Sequence, residues 1–393
     1  MAESVLLVSP EPPYPLNGGG ALRTASLIEY FARRSNLDVV LFAVEGASDP
    51  EESLPKGLIR NVCKLRLPSH SKHPVARVAR NTVRLLRGVP PLIDRFSGQQ
   101  APLGRWLEGR RYDAAVLEHF WCAPYAPLVR RHASRVCLDL HNIESEWHLR
   151  AAANCAWPAS AGHHAFARSS SSLERRMAPL FDRILVTSAR EAARFPFHPR
   201  IIVYPNAIPH HALPQAAKDY TLVFSGNLEY SPNQEAVRFF HGCVWPTLRK
   251  KYPQLRWRIL GRNESALPRS VRDDPTVLLT GPVAHAVSEL ARSRVAVVPV
   301  LGGSGTRVKI LEAWAAGLPV VSTTIGAEGL EAVAGRHFLR ADTPGELSAS
   351  ISGLLESPCS GEQLGAAGRA LYEREYTWPA AWKTLDRENA LFG

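Results

Sequence analysis

The chain has 393 residues, 45% hydrophobic and 21% charged, with a net charge of +11, a composition that fits a folded protein and excludes a disordered one. That length exceeds what one core usually organises, so two domains of comparable size are expected. No apolar run reaches the roughly 20 residues that cross a bilayer, and the first nine residues lack the basic flank and long apolar core of a signal peptide, so the expected location is cytoplasmic.

The first predicted strand, residues 5–9, runs into Pro12, Pro13, Tyr14 and Pro15, then Asn17-Gly18-Gly19-Gly20, then a helix over about 21–34. Glycines at a strand-to-helix turn let backbone N–H groups approach a ligand, and the helix N-terminus favours an anion, so a phosphate or sugar could sit there. The spacing is neither a Rossmann fingerprint nor a P-loop, and a plain tight turn accounts for it equally well. A strand at 38–43 follows. Residues 71–100 then hold six cations (Lys72, Arg77, Arg80, Arg84, Arg87, Arg95) and one anion, Asp94, interleaved with Val75, Val78, Val83, Leu85 and Leu86. Such a stretch lies on an anionic membrane surface or is simply a solvated helix face. It lacks interleaved aromatics and any nucleic-acid motif, so no nucleic-acid partner is expected.

Strands at 114–118, 136–140, 183–187 and 201–204 complete the first half. His119 and His141 follow the first two of these, where an imidazole can hydrogen-bond a sugar hydroxyl or act as a base, although a histidine at a strand end is often structural. Residues 205–219, with Pro205, Pro209 and Pro214, show no periodicity and are placed as the linker. Further strands are predicted at 222–225, 256–260, 277–280, 295–300, 319–323 and 338–340. The alternation of short β-branched runs with helical patterns predicts an α/β protein of two doubly wound parallel-sheet domains, 1–209 and 210–375. Open parallel sheets bind ligands beyond the carboxyl ends of their strands, so a cleft between the domains is the default site. A terminal helix over about 376–393 docks by Trp378, Trp382 and Leu385.

The six cysteines have no Cys-x-x-Cys spacing and read as reduced, mostly buried thiols. His163-His164 and His210-His211 lack carboxylate or cysteine companions, and no Asp-x-Asp triplet occurs, so no metal is assigned.

The most informative run is Val297-Val298-Pro299-Val300-Leu301-Gly302-Gly303-Ser304-Gly305-Thr306-Arg307-Val308-Lys309-Ile310-Leu311-Glu312-Ala313-Trp314, closed by Gly317-Leu318-Pro319-Val320-Val321. It reads as buried strand, glycine-rich loop, helix, stop and strand. The loop N–H groups, the helix dipole, Arg307 and Lys309 would together stabilise a diphosphate, and Glu312 could accept the two hydroxyl hydrogens of a ribose. As residue types alone, Arg307 and Lys309 could equally pair with Glu312 or Glu328 on the surface.

This run resembles the donor-binding segment of glycosyltransferase family 4, in the branch with the signature Gly-Ser-Gly-Thr-Arg-x-Lys-x-Leu-Glu-Ala. The resemblance extends to Phe224-Ser225-Gly226-Asn227-Leu228, Tyr230-Ser231-Pro232-Asn233, Leu260-Gly261, Gly281-Pro282-Val283 and Tyr204-Pro205-Asn206, and more loosely to Leu117-Glu118-His119 and Asp139-Leu140-His141-Asn142. It implies a GT-B fold, a retaining transfer from a nucleotide sugar, most often UDP- or GDP-linked, and no bound cofactor. The acceptor, whether glycan, lipid-linked, protein or small molecule, would bind mainly to the first domain, and the C-terminal helix would cross back onto it.

Carried onto this sequence, Glu312 would bind the ribose, and Arg307 and Lys309 with Gly303, Ser304, Gly305 and Thr306 would bind the diphosphate. Pro282 and Val283 would flank the base, Gly226 and Asn227 would lie on the donor side, and His119 would sit beside the transferred sugar. Asn17, Gly18, Gly19, Gly20 and His141 would face the acceptor or a phosphate. Two departures stand out: Ser304 occupies the place of the family's first glutamate, eight positions before Glu312, and Asn227 and Asn233 replace an Arg and a Lys. The competing readings are a homologue that binds nucleotide sugar with little turnover, and an epimerase or phosphorylase on the same scaffold.

Overall fold

The computed structural model describes residues 3–16, 18–45, 49–69, 73–153, 155–302 and 307–387. The chain divides into two compact units, Met1–Asn206 with Trp382–Gly393, and Ala207–Ala381. The boundary thus falls three residues before the expected one, and the stretch 376–381 stays with the second unit.

The first unit is built on β1 (Ser4–Ser9), β2 (Asn36–Val44), β3 (Asn61–Leu67), β4 (Tyr112–Glu118), β5 (Ala133–Asp139), β6 (Arg183–Val186) and β7 (Ile201–Val203). All pair in parallel, in the order β3-β2-β1-β4-β5-β6-β7. Central strands read as continuous apolar runs because helices cover both faces: Val5, Leu6, Leu7, Val8 and Ala114 to Leu117 are all fully buried. The edge strand β3 was not expected from the sequence. Its side chains alternate, with Cys63, Leu65 and Leu67 buried and Lys64 and Arg66 exposed, as at a sheet edge with one solvated face.

The helix Gly19–Ala32 packs against β1 and β2 through Leu22, Ala25, Ile28 and Phe31. It begins at Gly18, whose φ of 121° disfavours any side chain, and no side chain caps it. In the same unit, Trp382 donates its indole N–H to the Ser26 carbonyl at 3.1 Å and Tyr30 donates to Asp386 at 2.9 Å.

The second unit has β8 (Thr221–Ser225), β9 (Arg256–Leu260), β10 (Val277–Leu279), β11 (Val295–Val298), β12 (Val320–Ser322) and β13 (Leu339–Arg340). They are again all parallel, in the order β10-β9-β8-β11-β12-β13. In both sheets the first strand lies between the second and the fourth, so the winding reverses there and a crevice opens beyond the strand ends. Helix signals in the sequence are used directly: Pro344 opens the helix Pro344–Glu356, where Thr343 and Glu346 form a reciprocal capping box.

Cys63, Cys122 and Cys137 are buried, but Cys155, Cys243 and Cys359 are exposed, so the expectation of mostly buried thiols holds for only half of them. Among the described residues no helix is long and apolar enough to cross a membrane.

Candidate active site

In each sheet a group of charged and polar side chains lies at the carboxyl ends of the strands flanking the winding reversal. In the first unit these strands are β1, β4 and β5. Glu118 ends β4 and Asp139 ends β5, both fully buried. A buried carboxylate pair requires cations, and Arg23, at 1% exposure the only cation of the helix Gly19–Ala32, supplies one. Its Nε donates to both Asp139 oxygens, at 2.8 and 3.0 Å, and its Nη1 donates to the Tyr204 carbonyl at 2.7 Å and to Asn206 Oδ1 at 2.8 Å. One guanidinium therefore ties the first helix to β5 and to the Tyr204-Pro205-Asn206 segment. Thr24, next along, donates to Glu118 Oε2 at 2.7 Å.

His141 Nε2 lies 3.3 Å from Asp139 and 3.9 Å from Glu118, close ion pairs rather than aligned hydrogen bonds. Burial alone would lower its pKa, but Asp139 and Glu118 outweigh burial and raise it to about 9. Burial likewise opposes ionisation of Asp139, and Arg23 and His141 reverse that, holding the carboxyl below the usual range. Glu118, Asp139 and His141 bring one ligand atom each within 4.8 Å of one another. Arg23 takes both Asp139 oxygens and His141 lies against both carboxylates, so the four side chains form one buried ion network.

His119 follows Glu118 with φ 56° and ψ 148°, a conformation that costs a non-glycine residue on the order of 1–3 kcal/mol and recurs at functional sites. Its N–H donates to the Asp139 carbonyl at 2.8 Å. The imidazole is stacked on Trp121, centroids 4.2 Å apart, with His141 at 3.7 Å on another side. Burial, reinforced by the His141 charge, pushes its pKa well below 6.5, so it is neutral at pH 7. Trp121 is in turn fixed by stacking on Phe96 and by donating to Glu144 at 3.0 Å. Gly18, Gly19 and Gly20 form the start of the adjoining helix, and a Cβ at Gly20 would stand 3.5 Å from Glu11 Oε2 and 3.6 Å from His141 Nδ1. Asn17 lies outside the described residues.

In the second unit the reversal is flanked by the loops after β8 and β11. Gly226, Gly261 and Gly281 follow β8, β9 and β10, and their backbones layer tightly: Gly226 N–H donates to Leu260 and Gly261 N–H to Gly281. A Cβ at Gly261 would fall 1.9 Å from the Gly226 oxygen, so only glycine fits. Pro282 is exposed and Val283 half-buried just past this layer. Asn227 accepts from the Asn233 amide through its carbonyl at 2.8 Å.

Gly303, Ser304, Gly305 and Thr306, after β11, lie outside the described residues. Arg307 is the N-cap residue of the helix Val308–Ala315. Lys309 donates to Asn233 Oδ1 at 2.6 Å and sits over the Phe224 ring, 4.6 Å from its centroid. Burial lowers its pKa to about 7, with the Arg307 charge acting in the same direction. One turn further, Glu312 accepts from Ser225 at 3.4 Å and is raised by burial to about 7. Arg307 is buried, with Nη2 3.5 Å from Glu328. The pairing of Arg307 with Glu328 weighed from the sequence is thus present, but with the arginine buried rather than on the surface. Lys309 instead turns onto Asn233.

The structure therefore gathers His119, His141, Glu118 and Asp139 in one unit, and Lys309, Glu312, Asn233 and Gly226 in the other. Sequence reasoning did not single out Arg23 or Trp121. Arg23 had a signal, a lone arginine among Leu22, Ala25, Leu27 and Ile28; Trp121 had only its place two residues after His119.

Two parallel sheets, each wound in the dinucleotide-binding order, are the two Rossmann-like domains of the GT-B fold. Residues 18–207 match the family described as a glycosyl transferase 4-like domain, and residues 219–357 match the glycosyl transferases of group 1. The chain belongs to the family-4-like glycosyltransferases.

Similar solved structures share the fold at low identity. Sucrose-phosphate synthase from Thermosynechococcus elongatus is 16% identical, with 98% of each chain covered and a TM-score of 0.70. Anabaena HepE in complex with UDP and glucose is 12% identical, 99% of each chain, TM-score 0.65. A TarM variant from S. aureus in complex with fondaparinux, alpha-GlcNAc-glycerol and UDP is 11% identical, 98% of this chain and 99% of that one, TM-score 0.67. No curated protein matches the chain.

Proposed function

We propose that this glycosyltransferase moves a sugar from a nucleoside-diphosphate sugar, UDP- or GDP-linked, to an acceptor hydroxyl, with retention of anomeric configuration and without a metal. The observation that carries the reading is the trio Arg307, Lys309 and Glu312 on one short helix, Arg307 buried and the other two half-buried, with Lys309 on Asn233 and Phe224 and Glu312 on Ser225 at the end of β8. Cations next to N–H-rich glycine backbone suit a diphosphate, and a carboxylate one helical turn away suits a ribose. Pro282 and Val283 would flank the base, with Gly226 and Asn227 beside the donor. Gly303, Ser304, Gly305 and Thr306 would contribute backbone N–H groups. The crystallised HepE and TarM complexes, which contain UDP, support a uridine nucleotide.

In the reaction the bond between the sugar's anomeric carbon and the β-phosphate oxygen breaks, and the acceptor oxygen bonds to that carbon. The acceptor's proton passes to the departing phosphate oxygen, on the same face, so no protein base is required. Arg307 and Lys309 stabilise the charge that grows on the diphosphate, the main contribution to lowering the barrier. His119, neutral and clamped by Trp121 and His141, accepts a hydrogen bond from a hydroxyl of the transferred sugar. His141 and the Gly18 to Gly20 turn, with Asn17, form the acceptor side, for a glycan, lipid-linked, protein or small-molecule acceptor. The protein acts in the cytoplasm.

Replacing Arg307 by alanine should lower turnover about a hundredfold, the usual cost of one such donor, in a protein that still folds. Near-wild-type rates would remove Arg307 from the clamp. Incubation with UDP-, GDP-, ADP- and dTDP-sugars without acceptor separates the alternatives: slow hydrolysis supports transfer, whereas epimerised donor or phosphate-dependent release of sugar-1-phosphate refutes it.

A further inference from the structure

A helix on the surface of a folded unit normally turns its apolar stripe inward. The helix Pro74–Arg87 does the reverse. Val75, Val78, Val83 and Leu86 are 70%, 63%, 52% and 84% exposed, and with Ala79 and Thr82 they fall on one side at helical spacing. The arginines occupy the other side. Arg84 is buried, its Nε donating to Asp94 at 2.9 Å, and Arg87 donates to the other Asp94 oxygen at 3.0 Å. The helix is therefore held by its polar side, and about 18 Å of aliphatic ridge faces outward, at 1.5 Å per residue. Leaving such a ridge in water forgoes the burial that usually stabilises an amphipathic helix.

We propose that this ridge is a membrane-docking element whose partner is the surface of a bilayer containing anionic lipid. Charge complementarity selects that partner. Residues 71–100 contain six cations against one anion, Asp94, and Lys+Arg exceed Asp+Glu by 27 to 18 up to residue 200, against 20 to 18 beyond it. A second copy of the chain would set arginines against arginines. A bilayer instead offers hydrocarbon to Val75, Val78, Val83 and Leu86 while its phosphates meet Arg77 and Arg87, exposed towards the two ends of the helix. The helix packs against the helix Ala159–Met177, and Trp157, just before that helix, is 83% exposed in the same unit. This inference concerns the first unit alone and does not depend on the identity of the donor.

The test is co-sedimentation of the full chain with phosphatidylcholine vesicles, with and without phosphatidylglycerol, at low and high salt. The protein should pellet with the anionic vesicles and be released by salt. Val78→Asp with Leu86→Asp should weaken partitioning by roughly a hundredfold. Both positions are exposed, so the melting temperature and nucleotide binding should not change. Leu86→Trp supplies a second readout, a blue shift of its emission on anionic vesicles. Absence of pelleting, equal binding by the double variant, or unmoved emission overturns the proposal. Concentration-dependent dimerisation abolished by the same double variant would assign the ridge to a second copy and likewise overturn it.

Discussion

If Lys309 meets the diphosphate, donor binding must carry a proton with it. In the unliganded protein burial lowers the Lys309 ammonium from its ordinary 10.5 to about 7. At pH 8 only about a tenth of the molecules then carry that charge. A phosphate charge about 4 Å away contributes roughly 4 kcal/mol at the effective dielectric of such sites, enough to return the ammonium to its ordinary range. Binding of UDP at pH 8 should therefore take up close to one proton, about 0.9. Glu312, raised to about 7, is already ionised at that pH and adds little. Titration calorimetry in buffers of different ionisation enthalpy measures the uptake as the slope of the observed heat against that enthalpy. Lys309→Met, which keeps the length of the stem over Phe224, should bind UDP with almost no slope. A wild-type slope near zero at pH 8 would place Lys309 away from the phosphates and refute the donor assignment.

Arg23→Met should cost about 3–5 kcal/mol in denaturant unfolding, because it strands the buried Asp139 carboxylate; a loss below 1 kcal/mol would show that the ion network relaxes without its guanidinium. The raised His141 pKa sets a stability window. With the folded value near 9 and the ordinary value 6.5, its contribution is complete below about 6.5 and fades as pH rises to 9, on the order of 3 kcal/mol in all. Melting temperatures should accordingly fall between pH 6.5 and 9 in the wild type and much less in His141→Gln, and parallel profiles for the two proteins would count against the charged imidazole.

The fold was legible because both halves follow one rule. Apolar runs such as residues 5–8 and 295–298 admit only strands covered on both faces, and the intervening periodic stretches supply the covering helices. The strand that escaped notice, β3, lies at an edge, where Lys64 and Arg66 interrupt the apolar sequence and lower its signal. Local spacing also located Lys309 and Glu312 on one short helix. What spacing could not convey is partnership across the chain. Arg23 meets Asp139 across 116 residues, and Lys309 meets Asn233 across 76. Before those contacts are known, Asn233 reads only as a lost cation. In the folded unit its amide oxygen receives the Lys309 ammonium, so a lysine from a different element reaches this asparagine.

The same logic explains why the charge of residues 71–100 pointed in two directions when read from the sequence. Composition counts arginines without saying which way they face. Only the packing shows that Asp94 holds Arg84 and Arg87 on the inner and flanking sides and so turns the valines outward. A solvated helix and a lipid-seeking helix can share this composition. They differ in which side the protein itself holds, and here the held side is the one that carries Arg84 onto Asp94.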